Sequence, residues 1–313
     1  AERTSVRLLD SIDAIDDACE GAVVSVGNFD GVHRGHLSIL NALKTMGRQL
    51  SAPTLVFTFD PHPLTLLKPE AAPAPLCWTE RKATLLGDLG IDFLLAYPTS
   101  PALLDLDYRS FFRQVIRGRL KARGMVEGAN FFFGKNREGN VQRLKELCGD
   151  AQTALEILEL NDEDGAAISS TRIRAQVSAG AVDVANMMLT SPYRIAGEVV
   201  RGEQRGRSLG FPTANLTGCP VLIPAQGVYA GWALFGDQRQ TAAIHIGPNP
   251  TFGVRSSKVE VHLIDFVGDL YDQRLEVEFH SRVREVRAFD SAEKLQSQLQ
   301  EDVREVNRRT SGL

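Results

Sequence analysis

Two histidines stand three residues apart directly after a short run of β-forming residues. The stretch VGNFDGVHRGHLSIL, Val26 to Leu40, contains them as His33 and His36. The pattern predicts a strand, a turn and then a helix, with both imidazoles in the first helical turns and on nearly the same face. A helix N-terminus offers N–H groups to phosphate, and two imidazoles can donate to oxygens that gain charge during phosphoryl or nucleotidyl transfer.

The neighbouring residues help to decide between a catalytic pair and two unrelated surface histidines. An isolated H-x-x-H pattern is more often the second. Here Asn28, Asp30 and Gly31 predict the turn between strand and helix, and Gly35 leaves room for a nucleotide to approach. This context favours a catalytic pair that binds phosphate.

A second candidate for phosphate binding is the sequence ISSTRIR, near the end of the first half of the chain. Ser169, Ser170 and Thr171 can cap a helix with their hydroxyl groups, and Arg172 and Arg174 carry planar forks suited to phosphate. Alone, the pattern is equally typical of an ordinary helix cap followed by solvated arginines. Together with the histidine pair, it favours a site that holds a triphosphate.

Two further segments are predicted to lie at the same edge of a sheet. The stretch VEGANFFFGKNREGN, Val126 to Asn140, joins the end of a strand to three phenylalanines and a glycine-containing turn. Aromatic rings there could cover a planar ligand, but we expect at least two of residues 131–133 to belong to the core. The stretch FDPHP, Phe59 to Pro63, leaves the next strand where open α/β sheets bind ligands, and His62 is either site or scaffold.

The second half of the chain carries its own candidates. In GEQRGRSLGFPTANL, Gly202 to Leu216, glycines would let backbone N–H groups approach phosphates, although such a turn often serves only to turn. The Thr213 hydroxyl and the Asn215 carbonyl are hard oxygen ligands suited to Mg²⁺. In KVEVHLIDF, strand alternation places Glu260 on the same face as His262. Glu260 is either a general base or a solvated carboxylate.

The first half alternates strands with helices. Its predicted strands are 22–26, 54–59, 93–96, 124–127 and 153–159, and its predicted helices are 37–50, 108–120 and 140–148. Such alternation predicts an α/β domain with a mainly parallel sheet covered on both faces.

The second half of the chain has a different sequence pattern, with short predicted strands and no helices between them. Its predicted strands are 195–200, 228–234, 241–246, 258–266 and 274–279, separated by turns, and they are followed by an amphipathic helix at 291–308. This spacing predicts an antiparallel β-barrel closed by a C-terminal helix. Residues 187–193 contain helix-breaking residues, and we predict the hinge between the two halves there.

Composition narrows the function classes. The chain has 313 residues and a formal net charge of −4, with a pI near 5.9. We therefore expect no nucleic-acid or membrane partner that binds through a global positive field. Because no apolar leader or long apolar run is found, we expect a cytoplasmic protein. The scattered cysteines, Cys19, Cys77, Cys148 and Cys219, are expected to be reduced.

Eight segments in this order resemble the bifunctional prokaryotic FAD synthetases, the riboflavin kinase/FMN adenylyltransferase family. They cover nearly the whole chain: Gly27 to His36, Phe59 to Pro63, Phe133 to Gly139, Ile168 to Arg174, Gly206 to Asn215, Gly227 to Gly231, Asn249 to Phe252 and Val259 to Leu263. The resemblance implies a Rossmann-like nucleotidyltransferase domain over residues 1–187 and a riboflavin kinase barrel over residues 188–313. It also implies Mg²⁺ as cofactor, riboflavin, FMN and ATP as substrates, and FMN and FAD as products.

The resemblance also implies the site residues. In the first domain, the catalytic pair is His33 and His36, and the residues on ATP are Gly27, Asn28, Phe29, Asp30, Gly31, His33, His36, Ser169, Ser170, Thr171, Arg172 and Arg174. The residues implied on the flavin there are His62, Asn130 and Phe131. In the second domain, Glu260 is the base, and the residues on ATP are Gly202, Gly206, Arg207, Gly210, Pro212, Thr213 and Asn215, with Thr213 and Asn215 also on the metal.

Two departures and two alternatives accompany the resemblance. Many relatives carry Asp at the position of Asn130 and a basic residue at that of Phe132, so a charge is lost at the first site. One alternative is that a single activity remains. The other is a nucleic-acid-binding protein, because the H-x-G-H turn also resembles class I aminoacyl-tRNA synthetases; that alternative predicts a basic, aromatic barrel face. Self-association is left open.

Overall fold

A parallel sheet with its helices forms the first of two units into which the chain packs. The structure, a computed structural model, describes residues 6–159, 168–202, 210–248 and 257–311. The first unit comprises residues 1–73 and 78–168, and the second comprises residues 74–77 and 169–313.

The strands and helices of the first unit follow the predicted alternation. Its strands are β1 (Arg7–Leu9), β2 (Val23–Val26), β3 (Thr54–Asp60), β4 (Phe93–Pro98), β5 (Gly124–Gly128), β6 (Phe132–Phe133), β7 (Gly139–Asn140) and β8 (Ala154–Leu158). Its helices are α1 (Leu37–Leu50), α2 (Leu64–Leu67), α3 (Thr79–Asp88), α4 (Pro101–Leu104), α5 (Tyr108–Phe111), which continues into wider π turns over Phe112–Arg119, and α6 (Val141–Asp150). The α/β prediction is confirmed, while β1, α2, α3, α4 and the β6–β7 hairpin were not predicted.

The sheet has the strand order β1-β4-β3-β2-β5-β8, and all its pairs are parallel. The chain fills one side of β2 before it crosses to β5 on the other side. In such sheets, ligands bind at the carboxyl ends of the strands beside this reversal. The segments that follow β2, β3 and β5 contain His33 and His36, His62, and Asn130, so the fold brings these predicted residues to one edge.

Both faces of this sheet are covered by apolar side chains. Val24 and Leu55 belong to one buried cluster, whereas Val23 and Val56 belong to another. Because successive strand residues point to opposite faces, this division shows helices packed on both sides. A rigid, two-sided core therefore supports the loops at the carboxyl edge.

A buried carboxyl group replaces a ladder bond where β2 and β5 diverge. The two strands pair at Val23–Gly124 and Val24–Met125, and farther along the Val26 N–H donates to Glu127 Oε1 at 2.8 Å. Glu127 is 2% exposed. Burial raises the pKa of Glu127 well above its usual value, against the hydrogen bond from Val26. The folded protein therefore holds this group in its neutral form.

Replacing Glu127 with glutamine should remove part of the pH dependence of stability. In the wild type the unfolded carboxyl loses its proton near pH 4.5, whereas the folded one keeps it. The free energy of unfolding should therefore fall as the pH rises above that value toward the raised folded pKa. Glu127→Gln should flatten this slope in urea unfolding between about pH 5 and pH 8. The control is Glu146→Gln on an exposed part of α6; equal slopes in wild type and Glu127→Gln would contradict the interpretation.

The second unit consists of a closed barrel and three helices among its described residues. Its strands are β9 (Arg194–Val200), β10 (Ala214–Thr217), β11 (Gly227–Phe235), β12 (Gln238–Pro248), β13 (Ser257–Leu263) and β14 (Arg274–Arg284). Its helices are α7 (Ser170–Ser178), α8 (Val182–Met188) and α9 (Ala292–Thr310). The barrel order is β10-β13-β12-β11-β14-β9, with antiparallel neighbours. The predicted barrel and C-terminal helix are confirmed.

Alternation along β13 separates the inside of the barrel from its outside. Val259, Val261 and Leu263 are buried, whereas Glu260 and His262 are half-buried on the other face. Helix α9 packs on the outer face of the barrel, where Val306 belongs to one buried cluster with Ala230 of β11 and Ile264. Glu260 therefore lies outside the barrel wall but beneath a covering helix.

Helices α7 and α8 pack with the barrel. Asn186 of α8 donates to the carbonyl of Phe279 at 2.8 Å and accepts from the Tyr193 N–H at 2.8 Å. Packing thus divides the chain between residues 168 and 169, ahead of the domain boundary predicted between residues 187 and 188. That boundary stays a prediction about which segments fold alone. Helix α8 ends at Met188, within the predicted hinge.

A buried ion pair fastens α9 to the barrel. Arg284 of β14 donates to both carboxylate oxygens of Asp302 at 2.8 and 2.7 Å, and Gln298 adds a bond at 3.1 Å. The two charged side chains are 12% and 5% exposed. Such a pair is costly to break, because loss of one partner leaves the other charge buried.

We therefore expect Asp302→Ala to lower the free energy of unfolding of the barrel by about 3–5 kcal/mol. The measurement is urea unfolding followed by Trp232 fluorescence in a Trp78→Phe background. Asp290→Ala is the matched control, since the Asp290 side chain is 88% exposed beside Lys294; it should cost no more than about 0.5 kcal/mol. Equal effects of the two substitutions would contradict the role of the buried pair.

Other features bear on the sequence predictions. Cys19, Cys77, Cys148 and Cys219 are free. Within the described ranges, none of the helices is long and apolar enough to cross a bilayer.

Candidate active sites

The turn after β2 has an unusual backbone. Phe29 and Val32 have φ angles of 43° and 42°, and Gly31 between them has 79°. Positive φ is natural for glycine but strained for a phenylalanine or a β-branched valine. Backbone strain of this kind concentrates at functional sites. The predicted turn is thus present, in a conformation that the rest of the unit must hold in place.

His36 is the last residue of a single 3-10 turn, Arg34–His36, that precedes helix α1, and His33 is the N-cap of that turn. The prediction that they occupy the first turns of the helix itself is corrected, because the α-helix begins at Leu37. Their rings stack with centroids 3.6 Å apart and planes 19° apart. His33 is 5% exposed, and His36 is half-buried.

The protonation state of His36 follows from its contacts. Its Nδ1 accepts the His33 N–H at 3.2 Å, so the ring proton lies on Nε2. Burial lowers the pKa of His36 well below its usual value, and His33 and Lys82 act in the same direction. His36 is therefore a neutral imidazole whose Nε2–H can donate to an oxygen.

Gly35 is needed for a steric reason that the sequence did not indicate. A Cβ built on this residue would lie 2.7 Å from the Ile168 carbonyl and 3.0 Å from His33 Nδ1. Packing of the turn itself therefore requires glycine. The other reason, room for a nucleotide, stays a prediction.

A buried lysine supports the same turn from below. Lys82 of α3 is 9% exposed, and its Nζ donates to the Asn28 carbonyl at 2.7 Å and to Thr58 Oγ1 at 3.3 Å. The Asn28 side chain lies 2.9 Å from His62 Nε2. The segments after β2 and β3 are thus joined at the carboxyl edge, as predicted for Asn28 and His62.

The aromatic segment after β5 is divided between core and surface. Phe133 is buried, and Phe131 stacks on it at 5.3 Å and packs on the same cluster. Phe132 is 47% exposed, with Arg137 over its ring at 4.9 Å. Two of the three rings belong to the core, as expected. Asn130 is exposed next to them.

The ISSTRIR segment crosses from the first unit into the second, where Ser169 caps helix α7. Ser169 Oγ accepts the Arg172 N–H at 3.3 Å, which confirms the predicted cap. Arg174 Nε donates to the Ala74 carbonyl at 2.8 Å. Ser170 and Thr171 form the first turn of the helix.

The second unit contains a cavity of about 400 Å³ between the outer face of the barrel and helix α9. Its polar wall includes Thr213, His245, Lys258, Glu260 and His262. Its apolar wall is formed by Phe211, Val228, Ala243, Val286, Phe289, Leu295, Leu299 and Val303, and Arg284, Arg287 and Asp302 complete it. The cavity is of small-molecule size, with many apolar groups and a few convergent polar ones.

Glu260 has a basic side chain at each of its two carboxylate oxygens. His245 Nδ1 lies 3.2 Å from its Oε2, and Lys258 Nζ lies 2.9 Å from its Oε1. The hydrogen bond from His245, followed by that from Lys258, lowers the pKa of Glu260 to about 2 despite partial burial. Glu260 is thus ionised at neutral pH and can accept a hydrogen bond from a hydroxyl group.

Asn215 lies beside Glu260 on the neighbouring strand. The two residues are paired in register between β10 and β13. Asn215 is 7% exposed, and its Oδ1 is buried without a hydrogen-bond partner among the described residues. A Cβ on Gly202 would lie 2.2 Å from Asn215 Nδ2. The predicted residues Gly202 and Asn215 are therefore in direct contact.

Replacing Gly202 with alanine should push the Asn215 amide out of place. A shift of about 1 Å at a positioned group can cost roughly 100-fold in rate. We expect the turnover of the kinase reaction that the resemblance implies to fall by about 10- to 100-fold. The matched control is Gly149→Ala, since a Cβ there would meet nothing within 4 Å. Full turnover of Gly202→Ala would contradict the positioning of Asn215.

Comparisons with known proteins match the two parts of the chain to two different family models. The family model described as FAD synthetase matches residues 15–172, and the one described as riboflavin kinase matches residues 189–310. The bifunctional riboflavin kinase/FMN adenylyltransferase of Pseudomonas fluorescens is 36% identical over 90% of this chain and 91% of the relative. That of Escherichia coli strain K12 is 33% identical over the same shares, 90% and 91%.

This chain belongs to the bifunctional riboflavin kinase/FMN adenylyltransferase family. The family predicted from the eight segments is thereby confirmed. A crystal structure described as a macrolide-efflux protein from Streptococcus pneumoniae has a TM-score of 0.86 and 30% identity, and covers 98% of this chain and 100% of that one. This similarity shows that both units of the fold occur together in another chain. The name macrolide-efflux protein is that of the Streptococcus pneumoniae protein.

Within this family, the riboflavin kinase match falls on the barrel with its cavity, and the FAD synthetase match falls on the sheet with its histidine turn. The structure brings Glu260 and Asn215 together, and it brings Asn28 and His62 together. Gly206 and Arg207 lie outside the described residues, as does the segment 249–252. Gly210 and Pro212 are described, and the Pro212 carbonyl lies 2.8 Å from His262 Nδ1.

Sequence reasoning missed several residues at both sites. Lys82 belongs to a helix that was not predicted, and the apolar wall contributed by α9 was assigned only to packing. Lys258 stands two residues before Glu260, so strand alternation alone could have placed both on one face. His245 faces Glu260 across β12 and β13, and this register is set by strand pairing, which the sequence pattern alone does not display.

Proposed function

We propose that the chain phosphorylates riboflavin to FMN at the cavity of the second unit and adenylylates FMN to FAD at the histidine turn of the first. The observation that carries the proposal is that the two family matches fall on different candidate sites. The FAD synthetase match contains the histidine turn, and the riboflavin kinase match contains Asn215 and Glu260. Both activities belong to the family. The finer assignment, of each reaction to named residues, is our inference, and so are the domains at 1–187 and 188–313.

In the kinase reaction, the flavin ring lies against the apolar wall beneath α9, and its ribityl chain points toward Glu260. The 5′-hydroxyl oxygen forms a bond to the γ-phosphorus of ATP, while the bond from that phosphorus to the bridging oxygen breaks and ADP leaves. The hydroxyl proton is held by the ionised carboxylate of Glu260. A weakly basic carboxylate suffices, because phosphoryl transfer depends mainly on positioning and charge neutralisation.

The residues at this site fit a magnesium ion. Asn215 Oδ1 is a buried oxygen without a hydrogen-bond partner among the described residues, and amide and hydroxyl oxygens suit Mg²⁺. We assign Asn215 and Thr213 as its protein ligands, with Gly202, Gly206, Arg207, Gly210 and Pro212 around ATP. When bound, Mg²⁺ neutralises charge on the phosphate oxygens. In the part of the chain that the structure describes, no cluster of three His, Cys, Asp or Glu side chains could hold a metal.

In the adenylyltransferase reaction, a phosphate oxygen of FMN forms a bond to the α-phosphorus of ATP, and pyrophosphate leaves. The attacking oxygen carries no proton at neutral pH, so no general base is required. The neutral His36 donates through Nε2–H to oxygens that gain charge, and His33 is stacked on it. Lys82 and the strained turn keep the pair in position.

The remaining assignments at this site follow the family pattern. ATP is assigned to Gly27, Asn28, Phe29, Asp30, Gly31, Ser169, Ser170, Thr171, Arg172 and Arg174, and the flavin to His62, Asn130 and Phe131. The cellular location is proposed as cytoplasmic. Nucleic-acid and membrane partners are not expected, because the net charge of −4 provides no global attraction to polyanions.

The test is to incubate the purified chain with riboflavin, ATP and Mg²⁺ and to separate the flavins by chromatography. We expect FMN to appear first and FAD after it, and excess EDTA to stop FMN formation. Absence of either product from a folded chain would refute the corresponding half of the proposal. FMN formation undiminished by EDTA would refute the metal assignment.

A further inference from the structure

The carboxylate of Glu260 is held from both sides by side chains that line the same cavity. His245 Nδ1 lies 3.2 Å from Oε2, and Lys258 Nζ lies 2.9 Å from Oε1. A carboxylate engaged at both oxygens cannot rotate freely. Each oxygen keeps a second lone pair with which it can accept another hydrogen bond. The pair of contacts therefore fixes the direction in which those lone pairs point.

Strand pairing and alternation place these two donors beside Glu260. His245 of β12 is directly opposite Glu260 of β13, and opposed residues in an antiparallel pair share a face. Lys258 is two residues earlier on the same strand, and thus on that face too. All three side chains line the cavity.

Partial exposure argues against a role in the core. The side chains of His245 and Lys258 are 40% and 30% exposed, and that of Glu260 is 24% exposed. Exposed ion pairs contribute little to stability. Two donors nevertheless converge on one carboxylate in a cavity. Orientation of that carboxylate explains this arrangement better than a contribution to stability does.

We propose that His245 and Lys258 are positioning residues of the riboflavin kinase reaction, which hold Glu260 so that its remaining lone pairs face the hydroxyl group of the substrate. This inference rests on the assignment of Glu260 in the proposed function. Neither residue needs to touch the substrate, because each acts through the carboxylate. Their substitution should therefore reduce turnover while leaving the binding of ATP unchanged.

The experiment is a set of double-mutant cycles in the full chain. His245→Ala and Lys258→Met are each made in the wild type and in Glu260→Gln, and kcat and KM for FMN formation are measured with labelled ATP at high enzyme concentration. In the wild type we expect kcat to fall by about 10-fold or more, with the KM for ATP unchanged. In Glu260→Gln the same substitutions should change the residual rate by no more than about twofold, because residues that act as a unit are not additive.

Conservative variants and a matched control sharpen the test. His245→Asn keeps an N–H donor near the position of Nδ1, and Lys258→Arg keeps a cation, so both should recover most of the lost rate. Lys294→Met removes a lysine that is 66% exposed on α9 and should leave FMN formation unchanged. FAD formation from FMN reports that each variant is folded and should be the same in all of them.

The outcomes separate this inference from the proposed function. If Glu260→Gln itself keeps full activity, the assignment of Glu260 fails. If Glu260→Gln is impaired but His245→Ala and Lys258→Met are as active as the wild type, only the positioning role is refuted. If Lys258→Met reduces the rate equally in both backgrounds, Lys258 acts on the phosphate by itself, and the proposal is overturned for that residue.

Discussion

We expect the replacement of Glu260 with glutamine to lower the rate of FMN formation by about 100- to 10,000-fold, the usual contribution of a group that accepts a proton in the transition state. Glutamine keeps the shape of the side chain but has a single acceptor oxygen and no charge. In this cavity Lys258 and His245 then lose their anionic partner, and a substrate hydroxyl loses its acceptor. The measurement is the initial rate of FMN formation from riboflavin and ATP.

The internal control is the second activity of the same chain. Conversion of FMN to FAD by Glu260→Gln should equal that of the wild type, because the histidine turn belongs to the other unit. Glu198→Gln, an exposed glutamate on strand β9, should leave both activities intact. A Glu260→Gln chain that loses both activities while folded would show that the two sites are not separate.

We expect the replacement of His33 and His36 with alanine to impair the other activity, the conversion of FMN to FAD. Each substitution should reduce the conversion of FMN to FAD by about 100- to 1,000-fold, which is typical for the loss of one preorganised donor to developing charge. The effects should not add, because the rings are stacked and act as a unit. FMN formation should be unchanged in both variants. Separation of the flavin products by chromatography measures both steps.

The neutral state of His36 adds a pH criterion to this prediction. If an imidazolium were required, the rate of FAD formation would fall as the pH rose through 6.5, the usual pKa of histidine. Because the pKa of His36 lies well below that value, protonation of this residue should not shape the rate between about pH 6 and pH 8. A loss of rate centred near pH 6.5 that disappears in His36→Ala would contradict the assigned role.

Helices and strands could be predicted from the sequence where a periodic apolar pattern coincides with the face that is buried in the fold. The helix predicted over residues 37–50 is helix α1, because Leu40 and Leu43 recur at helical spacing and are buried. Strand β10 was missed because Ala214–Thr217 is short and rich in polar residues. It becomes a strand through its pairing with β9 and β13. That pairing exists only once the barrel is closed.

The candidate site residues also fall into two groups, those that the sequence predicted and those that it did not. Glu260, Asn215 and the histidine pair could be predicted because their motifs are local in the sequence, and their roles stay predictions. His245 and Lys82 were not, since neither stands in a pattern that points to chemistry. Lys82 reaches the Asn28 carbonyl from 54 residues away, and His245 reaches Glu260 from a neighbouring strand. Such contacts are set by long-range topology, which a single sequence does not display.

The most direct test of two separate sites is to mix the Glu260→Gln chain with the His33→Ala/His36→Ala chain and to supply riboflavin, ATP and Mg²⁺. Neither variant alone should convert riboflavin to FAD at an appreciable rate. Together they should produce FAD after a lag, with free FMN passing from one chain to the other. A mixture that accumulates FMN without FAD, or makes neither product, would contradict the account.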